Sequence, residues 1–129
     1  RREAEEKGIG FKCEFVYPTD TNINAFDVSV ILSNALENAF GGASGCENPY
    51  VLINAYRKKN AYMLEVRNCI SKGVEIDKET GLPETTKKDK KSHGFGLANI
   101  RKVAQKYYGD IDINQDENSF TLTVMLMIE

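Results

Sequence analysis

Cysteine and excess charge are both scarce in this chain, and each shortage removes a class of protein. Cys13, Cys46 and Cys69 are widely spaced and include no Cys-x-x-Cys pair. They suit reduced thiols in a reducing compartment better than a disulfide or zinc framework. Lysine and arginine number 17 against 19 aspartates and glutamates, a net charge of −2. Neither nucleic acid nor a membrane surface is therefore expected as the main partner. No apolar run approaches the length of a membrane span, and the opening residues lack a signal-peptide pattern. What remains is ordinary: 129 residues, 41% hydrophobic and 28% charged, enough for one buried core but not two. A single domain over residues 1–129 is expected. Arg1 to Lys7 reads as the tail of a charged helix, which makes residues 1–8 a remnant of a preceding helix or linker.

The order of elements follows from periodicity. Phe11 to Tyr17 is rich in strand formers and stops at Pro18. Asn24 has the form of a helix N-cap, with Asp27 three residues on. Val28, Ile31, Leu32, Ala35, Leu36 and Ala39 then keep a helical apolar stripe, expected to end at Gly41-Gly42. Tyr50–Tyr56 and Ala61–Arg67 read as a hairpin. Residues 71–92 lack sustained periodicity, and a loop of that length points to a lid or a disordered segment. Asp110–Asn114 is a short strand and Ser119–Ile128 a long one, with Phe120, Leu122, Val124, Leu126 and Ile128 alternating with polar residues and methionines. This order predicts an α+β fold: a two-layer sandwich with a mixed, mostly antiparallel sheet and helices on one face.

Two motifs carry chemistry. Ser92-His93-Gly94-Phe95-Gly96-Leu97 is a glycine loop running into a helix whose apolar face is Leu97, Ile100, Val103, Ala104 and Tyr107. Gly109 stands where a left-handed terminator is expected. Glycines at a helix start let an anion reach the first turn's unpaired N–H groups, although the same pattern also suits a plain turn. Asn34 and Asn38 lie one turn apart on the first long helix. They could hold Mg²⁺ against a polyphosphate through hard amide oxygens, or face solvent on an amphipathic helix.

Val30 to Phe40, with Asn34, Glu37, Asn38 and Ala39 at its centre, resembles the N box of the GHKL (Bergerat-fold) ATP-binding superfamily. Gly94-Phe95-Gly96-Leu97 resembles the glycine box after the ATP lid of the same superfamily. The likeness runs from Phe11 to Glu129. In detail it is closest to the catalytic domains of peptide-sensing, Agr/Com-type sensor histidine kinases. It implies Mg²⁺ on Asn38, ATP as the bound nucleotide, and an Asn34 that replaces the water-activating carboxylate of the hydrolysing branches. An amide cannot act as that base near neutral pH, so phosphoryl transfer is expected rather than hydrolysis. The resemblance also implies that Asn34, Asn38, Asn68, His93, Gly94, Phe95, Gly96, Leu97 and Ser119 line the nucleotide site. Ser119 would reach adenine through water.

Most relatives bind the adenine amino group with an aspartate in an Asp-x-Gly-x-Gly pattern. Here Asn68 occupies that place and the glycines are not reproduced. An amide could accept from the adenine amine or, flipped, donate to a guanine oxygen, so a looser preference and weaker affinity are expected. His93 sits in the glycine box and is not expected to be a phosphoacceptor. The implied partners are the dimerisation and phosphoacceptor domain of the parent kinase and a response regulator. The implied parent is a membrane-anchored homodimer involved in quorum sensing, with this domain in the cytoplasm. Alternatives are an anti-sigma-factor-type serine kinase and a non-catalytic interaction module.

Overall fold

The computed structural model describes residues 8–83 and 95–129, with the side chain of Phe95 excepted. In chain order the elements are β1 (Gly10–Phe15), α1 (Ala25–Ala43), β2 (Tyr50–Lys58), β3 (Ala61–Cys69), α2 (Phe95–Lys106), β4 (Asp110–Gln115) and β5 (Ser119–Met127). The five strands form one sheet in the order β1-β2-β3-β5-β4. β1 and β2 are parallel, joined through α1, and the other neighbours are antiparallel.

The register explains the core. Val51, Ile53 and Ala55 of β2 lie opposite Asn68, Val66 and Leu64 of β3, which in turn oppose Phe120, Leu122 and Val124 of β5. One face of the sheet is thus almost continuously apolar, and every residue in that array is buried. Ile31, Ala35 and Ala39 of α1 and Leu97, Ile100 and Ala104 of α2 close it from the helix side, at the spacing read from the sequence. The expected α+β architecture, with both helices on one face, is what the chain adopts.

Local chemistry sets the boundaries. The Asn24 side chain accepts from the Phe26 N–H at 2.7 Å, capping α1 as expected. Gly41-Gly42 does not end that helix, which runs through both to Ala43 before Ser44 caps it by donating its N–H to the Phe40 carbonyl at 3.1 Å. The hairpin β2–β3 turns at Lys59-Asn60, with Lys59 at φ 55°. The turn between β4 and β5 is set by Asp116, whose carboxylate accepts from the N–H groups of Asn118 and Ser119 at 2.8 and 2.7 Å.

The end of α2 differs from expectation. Tyr108, at φ 60°, takes the left-handed position, and Gly109 does not. Tyr108 N–H bonds to the Gln105 carbonyl at 3.0 Å and Gly109 N–H to the Ala104 carbonyl at 2.9 Å. That is a Schellman closure with tyrosine at C′. Gly109 is needed for space instead: a Cβ there would fall 1.7 Å from the Met125 carbonyl oxygen of β5.

Part of the segment read as a lid has local structure. Ile76 bridges Pro83, and Asp77 caps a turn through the Glu79 N–H at 2.8 Å. Gln115 pairs with the Val74 backbone in both directions, at 3.1 and 2.7 Å. Arg101 of α2 donates to the Thr80 carbonyl and to Asp110. Residues 1–7, read as a helix remnant, and the rest of the lid lie outside the described residues.

Candidate functional site

The site is built on one stripe of α1. Asn34, Asn38 and Gly42 recur every four residues, so they share a face and span about 12 Å of helix. At the first of them, the Asn34 amide nitrogen donates to the Val30 carbonyl at 2.8 Å. This satisfies a poor helix former in place and leaves its carbonyl oxygen toward α2. A Cβ at Gly96 would lie 3.3 Å from that oxygen. Glycine therefore lets the first turn of α2 close on Asn34. The two motifs, distant in sequence, meet here, and Asn34 stands beside a helix start with unpaired N–H groups. Asn38 follows one turn on, half-buried.

At the far end of the stripe α1 meets β3. Asn68 is only 2% exposed. Its amide nitrogen donates to the Cys69 carbonyl at 2.8 Å, while its Oδ1 is buried without a partner. A Cβ at Gly42 would lie 2.5 Å from the Asn68 nitrogen, so the glycine at this point of α1 makes room for the amide. Cys69 is itself held: its sulfur accepts from the Tyr50 N–H at 3.2 Å and donates to the Ala43 carbonyl at 3.9 Å. Burial, followed by a hydrogen bond with Cys69, pushes the neighbouring Cys46 thiol up to about 11.

The other sequence candidates divide. Leu97 is buried at 1% exposure and packs in the core, on the apolar face read for this helix. Ser119 is opposite Cys69 rather than Asn68, and its hydroxyl accepts from Arg67 at 3.2 Å. His93 and Gly94 lie outside the described residues, and Phe95 is placed only as the first residue of α2. Gly42 is the residue the sequence reading missed. The signal was present, since Gly42 continues the four-residue spacing of Asn34 and Asn38. Among the described residues no group of three or more His, Cys, Asp or Glu is placed to hold a metal ion.

A nucleotide fits this arrangement on two observations. The orphaned Asn68 carbonyl is a buried acceptor awaiting a donor such as an amino group. The glycine-lined approach of α2 to Asn34 suits phosphate oxygens. An amide oxygen at Asn38 is also the hard ligand that Mg²⁺ takes.

A mixed five-stranded sheet with both helices on one face is the two-layer α+β fold found in histidine kinase catalytic domains. The chain belongs to the GHKL domain family, whose sequence profile matches residues 23–127. Among solved structures, the nucleotide-free catalytic domain of histidine kinase ThkA is similar at a TM-score of 0.75 and 19% identity, covering 98% of this chain and 84% of that one. A second crystal form of ThkA gives 0.73 and 20% over the same shares. The Acinetobacter baumannii histidine kinase AdeS is similar at 0.72 and 13% identity, covering 99% of this chain and 58% of its own. At these identities the likeness establishes the fold. No curated protein matches the sequence.

Proposed function

We propose that this domain binds Mg·ATP between α1 and α2 and serves as the catalytic domain of a sensor histidine kinase. It would pass the γ-phosphoryl group to a histidine on the parent kinase's dimerisation domain, from which a response regulator takes it. The supporting observation is the stripe on α1. It places Asn34 against the start of α2 at one end and the buried Asn68 carbonyl at the other, the two ends a nucleotide would need.

In this reading Asn68 accepts from the base, and Asn38 supplies an amide oxygen to Mg²⁺, which neutralises phosphate charge when bound. The first turn of α2 offers N–H groups to the phosphates. Asn34, its nitrogen tied to Val30, has no basicity with which to activate water, so the site favours transfer over hydrolysis. The sequence likeness extends the proposal to the peptide-sensing, Agr/Com-type subgroup and a role in quorum sensing. There the domain would lie in the cytoplasm as part of a membrane-anchored homodimer.

Calorimetric titration with ATP and ADP, with and without Mg²⁺, tests the reading. Binding in the micromolar to submillimolar range is expected, weakened by removing Mg²⁺ and by Asn38→Ala. Absence of heat at millimolar nucleotide would overturn it and favour a non-catalytic interaction module.

A further inference from the structure

We propose that the outer edge of β1 is an interaction surface for a second copy of this chain, the two β1 strands pairing antiparallel about a two-fold axis at Cys13. This contact does not depend on the nucleotide site. β1 is the terminal strand of the sheet, and among the described residues no strand pairs with its outer side. Such an edge presents a row of backbone groups open to pairing. α1 packs over β3 and β2, which leaves room for a further strand beside β1.

The backbone supplies the register. Gly10 and Val16 donate their N–H groups to the carbonyls of Pro49 and Ala55, each at 2.9 Å. Backbone direction alternates along a strand, so Lys12 and Glu14 also face β2, while Phe11, Cys13 and Phe15 turn their N–H and C=O groups outward. In an antiparallel pair, residues that exchange hydrogen bonds stand directly opposite one another. Centring the pair on Cys13 meets that condition. Cys13 faces its own copy, and Phe11 faces Phe15 of the second copy.

The side chains agree with that register. Phe11-Lys12-Cys13-Glu14-Phe15 is a palindrome in which lysine and glutamate exchange places. Each Lys12 therefore meets Glu14 of the second copy, setting opposite charges across the seam on both sides of the axis. Both side chains are open to that contact. They are 72% and 70% exposed, and within one chain they form a loose surface pair at 3.5 Å, worth little by itself. Phe11 and Phe15 meet on the other face, where Phe11 already stacks on Phe40 of α1. There Phe15, Tyr17, Ala25, Val28 and Leu32 line an apolar groove of about 390 Å³, and Phe11 of the second copy would lie at its rim. The opposite edge of the sheet lacks this complementarity. β4 carries Asp110 and Asp112 and no cation, so a copy of itself would meet like charge.

One short strand pair is a small interface, so a dissociation constant on the order of 100 μM is expected. On a homodimeric parent, as proposed above, two such domains would be tethered at effective concentrations of about 1 mM, enough to populate the contact. Sedimentation equilibrium of the 129-residue chain, from about 10 μM to 1 mM, should show a monomer–dimer equilibrium. Lys12→Glu and Glu14→Lys each set like charges across the seam and should weaken association about 10-fold or more. Mixing these two variants restores opposite charges at both positions and should recover the wild-type affinity to within about threefold. By NMR, the amide signals that shift on dilution should be those of Phe11, Cys13 and Phe15, with β4 unmoved. A chain still monomeric at about 1 mM would overturn the proposal, as would a mixture that associates no better than either variant alone. Dilution shifts confined to another face would do the same. Growth into open polymers would also overturn it, in favour of β1 pairing head to tail with β4.

Discussion

At Gly109 the chain leaving α2 lies so close to β5 that an added Cβ would fall 1.7 Å from the Met125 carbonyl oxygen. Backbone on both sides leaves nothing flexible to yield. Gly109→Ala should cost about 3 kcal/mol or more, measured as the urea midpoint. Its neighbour should respond in the opposite sense. Tyr108 is 79% exposed and left-handed at φ 60°, so Tyr108→Gly loses little packing and removes backbone strain. A gain of about 0.5–1 kcal/mol is expected, and a loss would show that the tyrosine ring holds a contact worth more than the strain. The thiols offer a third check at this scale. Cys13 is exposed, Cys69 is buried, and Cys46 is held as the thiol by burial and its hydrogen bond to Cys69. A thiol-reactive dye should label Cys13 quickly and the other two slowly in the native protein. Fast labelling of all three would contradict this packing.

Between elements, the clearest tie joins the start of α1 to the end of α2. Tyr107 and Lys106 both donate to the Asp27 carboxylate, and the Asn24 N–H donates to the Tyr107 hydroxyl at 3.0 Å. Burial pushes the Asp27 carboxyl up, but the hydrogen bonds from Tyr107 and Lys106 and the lysine charge outweigh it and leave it below the ordinary carboxylate value. A carboxylate held low contributes stability above its unfolded pKa, about 3.9, and loses it as pH falls through the lower folded value. Burial and then the bond to Asp27 raise Tyr107, so its contribution is present below about pH 10 and fades as pH rises through the raised value. Urea midpoints of wild type and Asp27→Asn should therefore differ near neutrality and converge well below pH 4. A gap that is the same in strong acid would rule out the ionised carboxylate as its source. The Gln115 clamp on Val74 is a more local tie. Gln115→Leu should speed amide exchange across residues 74–83 far more than it lowers global stability. If the two changed together, that segment would belong to the main cooperative unit.

For the molecule as a whole, ligand binding and folding are linked. If Mg·ATP binds only the native state, a concentration 100 times the dissociation constant should raise the unfolding free energy by about 2.7 kcal/mol. A thermal melt with and without nucleotide measures this directly, and Asn38→Ala should shrink the shift at the same nucleotide concentration. Much of the fold was legible beforehand because it is periodic. Alternation in β5, the apolar stripe of α1 and the Asn24 cap are local patterns that each need only one stretch of chain. The family likeness followed from two motifs in order. What the sequence could not supply was the meeting of residues distant along it. Gly42 reads locally as a helix breaker, yet it stays helical because tertiary packing outweighs its poor propensity and Asn68 needs the space. Gly109 reads as a terminator by composition, while its role comes from a strand that approaches 16 residues later (125 − 109). By itself, then, the sequence determined the elements, their order and the candidate amides, since periodicity and capping act within a few residues. Only the tertiary structure decided which way the Asn68 amide points and which glycines are indispensable, since both depend on atoms brought together from separate elements.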